Sequence, residues 1–189
     1  MIDHPKYEIP HFDDWCNQYL KSNTRTHVAY VIENLRHYYE FSFHQLVDFV
    51  RNREEFYGIP NPDVCQIMTG LHKCWSNAYG MYALTRTTID LARQLNIEFS
   101  IKHSVYYAEN IKRIIDVTNN IIKHPLENSG GNSYTPIGLS RCGTIDVGEY
   151  NNAQGFIKNV TLSPESDFYF LQNYLEEISS KIKQEQTAR

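Results

Sequence analysis

Two long segments of the chain carry apolar residues three and four positions apart, and only seven residues separate the two segments. The segments cover about residues 24–55 and 63–95. Apolar residues at this spacing predict amphipathic α-helices, each with one face directed at a core. The intervening residues 58–62 contain two prolines, which end the first helix, and Asp63 is a favourable N-cap for the second. The sequence therefore predicts two long helices joined by a short turn.

The predicted buried face of the second helix also contains small residues. Gly70 and Gly80 lie within this helix and are expected to permit close packing against a neighbouring helix. The apolar residues expected to face the core are Val64, Ile67, Met68, Leu71, Trp75, Ala78, Tyr82, Ile89, Ala92 and Leu95.

The remaining segments complete a mainly α fold. Residues 106–125 are predicted to form a helix that ends at Pro125, and residues 125–134, rich in Gly, Ser and Asn, are predicted to form a loop. Residues 135–162 are predicted to be a β-hairpin with strands 137–147 and 156–162, followed by a helix that opens at Ser163 and Pro164. With an N-terminal helical arm at residues 1–23, the prediction is one domain spanning 1–189: an antiparallel four-helix bundle with the hairpin inserted before the last helix.

Charge and composition limit the classes of partner. A net charge of −4 argues against a broad basic face for duplex nucleic acid, although it permits a local phosphate site. The 14 tyrosines favour aromatic packing or an interface with polar edges. The four cysteines form no CxxC pair, and we expect neither a signal peptide nor a membrane span. These features predict a cytoplasmic protein.

Four polar side chains gather at the end of the predicted helix 106–125. They are Asn119, Asn120, Lys123 and His124, within the stretch N-N-I-I-K-H. The free carbonyls and the dipole at a helix C-terminus favour a cationic group such as an imidazolium. A solvated helix end would carry the same residue types, so the pattern permits both an ordinary cap and a site.

The stretch N-N-I-I-K-H resembles the signature of the HEPN superfamily, which consists of an arginine, a polar residue, a short spacer and a histidine at the end of a late bundle helix. Asn120 and His124 fall on the polar and histidine positions, and Asn119 falls on the arginine position. The resemblance implies a helical bundle that forms a homodimer and cuts or binds RNA without a metal or other cofactor, in bacterial phage defence or a toxin–antitoxin pair.

The resemblance also implies roles for the motif residues. His124 would be the general acid or base, and Asn120 would orient the phosphate or His124. Asn119 or Lys123 would partly stabilise negative charge. An asparagine supplies no charge, and charge-assisted hydrogen bonds are about twice as strong as neutral ones. The resemblance therefore implies RNA binding or a weakened ribonuclease.

Two alternatives remain from the sequence. One is a non-catalytic helical bundle that binds a protein partner through its tyrosine-rich surfaces. The other is a metal-binding bundle enzyme, for which Glu33 and His37, His37 and His44, and Cys65 and His72 share helix faces without a repeated Glu-x-x-His pattern.

Other polar residues are expected to be structural. The charged run 51–55 is expected to be a solvated face, and Cys74 and Cys142 are expected to be buried thiols.

Overall fold

The structure is a computed structural model of the chain, and it describes residues 26–103, 105–122, 132–151 and 153–187. The predicted N-terminal arm, residues 1–23, lies outside these residues, as do Lys123 and His124. The described part is mainly helical, with a three-stranded antiparallel sheet before the last helix. Its elements are α1 (Thr26–Gly58), α2 (Val64–Glu98), α3 (Val105–Val117), a π-helical turn (Thr118–Ile122), β1 (Asn132–Leu139), β2 (Ile145–Asn151), β3 (Gly155–Leu162) and α4 (Pro164–Thr187).

Helices α1 and α2 form the predicted hairpin, and Asp63 caps α2 as expected. The Gln66 N–H donates to Asp63 Oδ1 at 2.7 Å, and the Asp63 N–H donates to Gln66 Oε1 at 3.0 Å. This reciprocal pair is a capping box, which satisfies two free donors at the helix start.

Contacts between α1 and α2 show that the two helices run antiparallel. Ser42 of α1 donates to the Met81 carbonyl of α2 at 3.0 Å, whereas Phe56, further along α1, faces Gly70, nearer the start of α2. A Cβ atom on Gly70 would lie 2.4 Å from the Phe56 ring. The structure therefore confirms that this glycine permits close approach of the helices.

The prediction that the first two turns of α2 contribute to the core is wrong. Val64, Ile67 and Met68 are exposed, and the buried face of α2 begins at Leu71. Because Phe56 lies opposite Gly70, the end of α1 at Gly58 stands level with about Met68, and the first turn of α2 lies beyond it. The apolar period identifies the face of a helix, but it does not show how far the partner helix extends.

Helix α4 runs antiparallel to both α1 and α3. Its Phe168 stacks on Tyr39 of α1 with 5.1 Å between ring centroids, while Glu165 binds Arg53 nearer the end of α1. Asp167 of α4 binds Arg113 of α3, while the later Tyr174 packs against the earlier Tyr107, so α3 and α4 also run in opposite directions. Pro164 occupies the first turn of α4 as predicted, where a missing N–H has no cost. These contacts join the helices around one apolar core.

The inserted sheet differs from the predicted two-stranded hairpin. Its order is β1-β2-β3, and both pairs are antiparallel. A turn closed by the Ser140 N–H and the Thr144 carbonyl at 2.8 Å divides the predicted first strand, and Gly143 in that turn has φ +84°. A turn glycine supplies this conformation without steric cost, and the sequence around it lacks the Asn-Gly or Asp-Gly pair that marks many hairpins.

Two strands also extend into segments that were predicted to be loops. Strand β1 begins at Asn132, inside the predicted loop 125–134, and β2 continues to Asn151. Both segments contain residues with low strand propensity, such as Asn132 and Asn151, which are paired with each other across β1 and β2. The hydrogen bonds of this pairing offset the unfavourable propensity. Among the described helices, we find none with the length and apolar character needed to cross a membrane.

Candidate functional site

Two of the four predicted site residues lie within the described part of the chain, at the end of α3. Asn119 is half-buried and Asn120 is exposed, and both belong to the π-helical turn. The predicted helix is therefore π-helical rather than α-helical over Thr118–Ile122, and residues 123–125 lie outside the described part of the chain. A structural reason lies in Thr118, whose buried hydroxyl donates to the Ile115 carbonyl at 2.9 Å and so competes with the helical hydrogen bonds. Short π-helical turns occur frequently at functional sites.

An arginine from the neighbouring helix contacts this turn. Arg86 of α2 donates from Nη1 to Asn119 Oδ1 at 3.3 Å and from Nε to Asp90 Oδ2 at 2.9 Å. The Arg86 side chain is 29% exposed. The structure thus places a guanidinium beside the position at which the motif lacks one.

Sequence reasoning missed Arg86, because no local pattern relates it to Asn119, 33 residues away. The available signal was the connection between α2 and α3. If these helices are taken as antiparallel about residues 99–104, residue 86 stands level with about residue 119.

A buried carboxylate lies between three helices. Asp167 of α4, with a side chain 1% exposed, accepts hydrogen bonds from Tyr82 of α2 and from Arg113 of α3. The Arg113 guanidinium contacts both carboxylate oxygens, with 3.2 Å from Nη1 to Oδ2. Such a bidentate pair satisfies a buried charge that would otherwise be costly.

The same cluster changes two pKa values. Burial, and then the neighbouring Asp167 charge, raise the pKa of Tyr82 well above its ordinary value, since both disfavour the phenolate. The hydrogen bond to Asp167 raises the pKa of Arg113. Tyr82 and Arg113 therefore satisfy the buried Asp167 carboxylate, and we interpret the cluster as structural.

A second imidazole, which sequence reasoning also missed, lies at the other end of α3. His103 Nδ1 lies 2.9 Å from Glu177 Oε2, and its ring centroid lies 4.6 Å from that of Tyr174. Burial tends to raise the pKa of Glu177, but the hydrogen bonds from Lys181 and His103 outweigh it and lower the pKa. The His103 side chain is 11% exposed, so this imidazole–carboxylate pair has little access for a substrate.

The candidate metal ligands do not converge. His37, His44, Cys65 and His72 are all exposed on the outer surfaces of α1 and α2. Within residues 26–103, 105–122, 132–151 and 153–187, no group of three or more His, Cys, Asp or Glu side chains is placed to hold a metal ion.

Two other expectations need correction. Arg53, in the run expected to be a solvated face, is 5% exposed and binds Glu165 of α4. It is therefore unavailable to a nucleic-acid backbone. Cys142 is exposed rather than buried, because it lies in the turn between β1 and β2. Cys74 is buried as expected, and burial raises the pKa of its thiol to about 11.

A shallow polar groove of about 490 Å³ crosses the outer surface of α1 and α2. Lys73 in this groove is thirteen residues from Arg86 on the same helix, or about 20 Å at a rise of 1.5 Å per residue. The groove is thus separate from the Asn119 site. Its lining residues are Asn52, Thr69, His72, Lys73, Ser76 and Asn77.

The chain matches no protein-family model, and it has no significant match to a curated protein or a solved structure.

Proposed function

We propose that the chain is a HEPN-like antiparallel four-helix bundle that binds RNA as a homodimer and cuts it slowly without a metal. The observation that carries the proposal is the amide pair Asn119 and Asn120 on a π-helical turn, with Arg86 of the neighbouring helix α2 beside it. Amides and a guanidinium are suitable hydrogen-bond donors for phosphate oxygens. The antiparallel contacts of α1 with α2 and of α4 with α1 and α3 support the bundle.

The proposed reaction is attack of a ribose 2′-hydroxyl on the adjacent phosphorus. A bond forms between the 2′ oxygen and phosphorus, the bond from phosphorus to the 5′ oxygen breaks, and one proton moves from the 2′ oxygen while another reaches the 5′ oxygen. His124, which lies outside the described residues, exchanges these protons as general base and acid. Asn120 orients the phosphate or His124, and Asn119 and Lys123 contribute further donors.

The proposed setting follows from the same resemblance. Two copies of the turn face one cleft in the homodimer, and the domain acts in the cytoplasm, in phage defence or as part of a toxin–antitoxin pair. The net charge of −4 agrees with a local phosphate site rather than an extended basic surface.

A cleavage assay in EDTA tests the proposal. We expect slow cleavage of single-stranded RNA by the wild-type chain and loss of cleavage in His124→Ala, because the imidazole that exchanges the protons is removed. His72→Ala is the matched control, since it removes an exposed imidazole that lies elsewhere on α2.

Two results would contradict the proposal. One is the absence of both RNA binding and cleavage in the wild type, which would favour the protein-interaction alternative. The other is cleavage that requires added divalent metal, which would favour a metal-dependent enzyme. Light scattering that shows only monomers at the assay concentration would remove the homodimer from the proposal.

A further inference from the structure

The position of Arg86 relative to Asn119 suggests a specific role for its guanidinium. An arginine side chain is longer than an asparagine side chain, so a motif arginine would place its guanidinium beyond the point that the Asn119 amide reaches. Arg86 Nη1 lies 3.3 Å from Asn119 Oδ1, at the end of that shorter side chain. The guanidinium of Arg86 therefore occupies the region that the family's arginine would fill.

The orientation of the Asn119 amide follows from this contact. A guanidinium only donates hydrogen bonds, so the amide atom that faces Arg86 is the carbonyl oxygen. The amide nitrogen of Asn119 is then directed away from Arg86 and remains a donor. The Arg86 guanidinium and the Asn119 amide nitrogen are therefore both available as donors next to the hydrogen bond that joins the two side chains.

Arg86 also has donors to spare. A guanidinium carries five N–H groups, and the hydrogen bonds to Asp90 and Asn119 use Nε and one hydrogen of Nη1. The side chain is 29% exposed, so the remaining N–H groups can meet a ligand from solvent. Asp90 is 47% exposed and holds the guanidinium from the side of Nε. A tetrahedral phosphate with two free oxygens matches the remaining planar set of donors.

We infer that Arg86 binds the scissile RNA phosphate and supplies, from helix α2, the positive charge that the motif lacks at Asn119. This inference rests on the proposed function and deepens it. Asp90 is a positioning residue, because it contacts Arg86 rather than the phosphate.

Four variants test the inference through single-turnover cleavage and RNA binding in EDTA. Arg86→Ala should lower the cleavage rate on the order of 10²-fold, the effect of losing one donor to a developing oxyanion. Arg86→Gln removes the charge and places its N–H donor near the position of Nε, which faces Asp90, so it should be nearly as slow. Asp90→Ala breaks the ion pair but keeps the guanidinium, so its rate should stay within about tenfold of wild type. Arg93→Ala, which removes an exposed arginine two turns along α2, should change the rate less than about threefold.

The salt dependence of binding separates a phosphate contact from a structural role. If Arg86 contacts one phosphate, the slope of log K against log salt should fall by about one in Arg86→Ala and in Arg86→Gln, and should not change in Arg93→Ala. This readout also applies if the wild type binds RNA but cuts it too slowly to measure. A purely structural ion pair would instead make Asp90→Ala and Arg86→Ala equally impaired, with an unchanged salt slope.

The outcomes distinguish this inference from the proposed function. Cleavage that survives in Arg86→Ala but disappears in His124→Ala overturns the role of Arg86 and leaves the ribonuclease intact. Failure of the wild type to bind or cut RNA overturns both. Slow cleavage in Arg86→Gln with a native circular dichroism spectrum supports the role, since that variant keeps the fold and a polar side chain but lacks the charge.

Discussion

Two arginine contacts between neighbouring helices differ in how completely they are satisfied. Arg113 of α3 makes a bidentate pair with Asp167 of α4, a carboxylate with a side chain 1% exposed, which also accepts a hydrogen bond from Tyr82. Arg86 of α2 makes a single bond of 3.3 Å to the Asn119 amide, and its other partner, Asp90, is 47% exposed.

The difference lies in the acceptor and not in the exposure of the arginine, because the Arg113 side chain is 47% exposed and the Arg86 side chain is 29% exposed. A buried carboxylate depends on Arg113, whereas the carboxylate that binds Arg86 is half-exposed. Asp167 is enclosed, so the hydrogen bonds from Tyr82 and Arg113 offset the free energy lost when its charge leaves water. Removing one of these residues would leave a buried polar atom without that hydrogen bond. Arg86 binds the half-exposed Asp90 carboxylate through Nε alone, and its other N–H groups face an uncharged amide and solvent, so part of its donor set is not used within the chain. We therefore expect variants of the first contact to affect stability and variants of the second to affect RNA.

The largest expected effect on stability is that of Asp167→Ala. This change leaves the buried Tyr82 hydroxyl and part of the Arg113 guanidinium without an acceptor, so the free energy of unfolding should fall by about 3 kcal/mol. Urea denaturation at neutral pH measures the change. Asp90→Ala is the matched control, because it also removes a carboxylate bound to an arginine, and it should cost less than about 1 kcal/mol. Equal effects of the two variants would contradict the comparison.

A smaller effect is expected for Tyr82→Phe. The variant removes one hydroxyl donor to the Asp167 carboxylate while Arg113 remains, so the free energy of unfolding should fall by about 1.5 kcal/mol. The same urea denaturation measures it, and the slope against urea should not change. A loss as large as that of Asp167→Ala would show that Arg113 contributes little to holding the carboxylate.

The pH dependence of stability sharpens the comparison further. The pKa of Tyr82 in the folded chain lies well above its ordinary value of 10.0. As pH rises through about 10, the unfolded chain loses this proton while the folded chain keeps it, so the free energy of unfolding decreases. Between about pH 8 and about pH 11, Tyr82→Phe should lose stability less steeply than the wild type. In Arg86→Ala, the free energy of unfolding should fall with pH as steeply as in the wild type. The same steepness in Tyr82→Phe would contradict the raised pKa of Tyr82.

The smallest effect on stability is expected for Arg86→Ala. Its ion pair with Asp90 is partly exposed, and such pairs contribute less than about 1 kcal/mol. Thermal and urea unfolding of the variant should therefore remain close to those of the wild type, while the salt dependence of its RNA binding changes. A loss near 3 kcal/mol would instead make Arg86 a structural residue like Arg113.

Much of the helical architecture was predictable from local patterns. The α1–α2 hairpin, the Asp63 cap and the start of α4 at Pro164 follow from apolar spacing, capping chemistry and proline geometry, all of which act within a few residues. The three-stranded sheet was less predictable, because apolar residues lie on both sides of the turn at Gly143 and no Asn-Gly or Asp-Gly pair marks it.

The candidate site was predictable only in part. The sequence places Asn119 and Asn120 near a helix end, and the structure agrees, although the turn is π-helical rather than α-helical. The predictions for Lys123 and His124 remain predictions, since both lie outside the described residues. The burial of Arg53 could not be predicted from the charged run around it, because the run does not show that Arg53 forms an ion pair with Glu165 of α4.

The sequence by itself determined where the long helices lie and which face of each is apolar, because a periodic pattern is a property of consecutive residues. Only the tertiary structure decided that Arg113 reaches Asp167 and that Arg86 reaches Asn119. Each of these contacts depends on the relative register and rotation of two helices. Register is set by the packing of the whole core, which no local pattern contains.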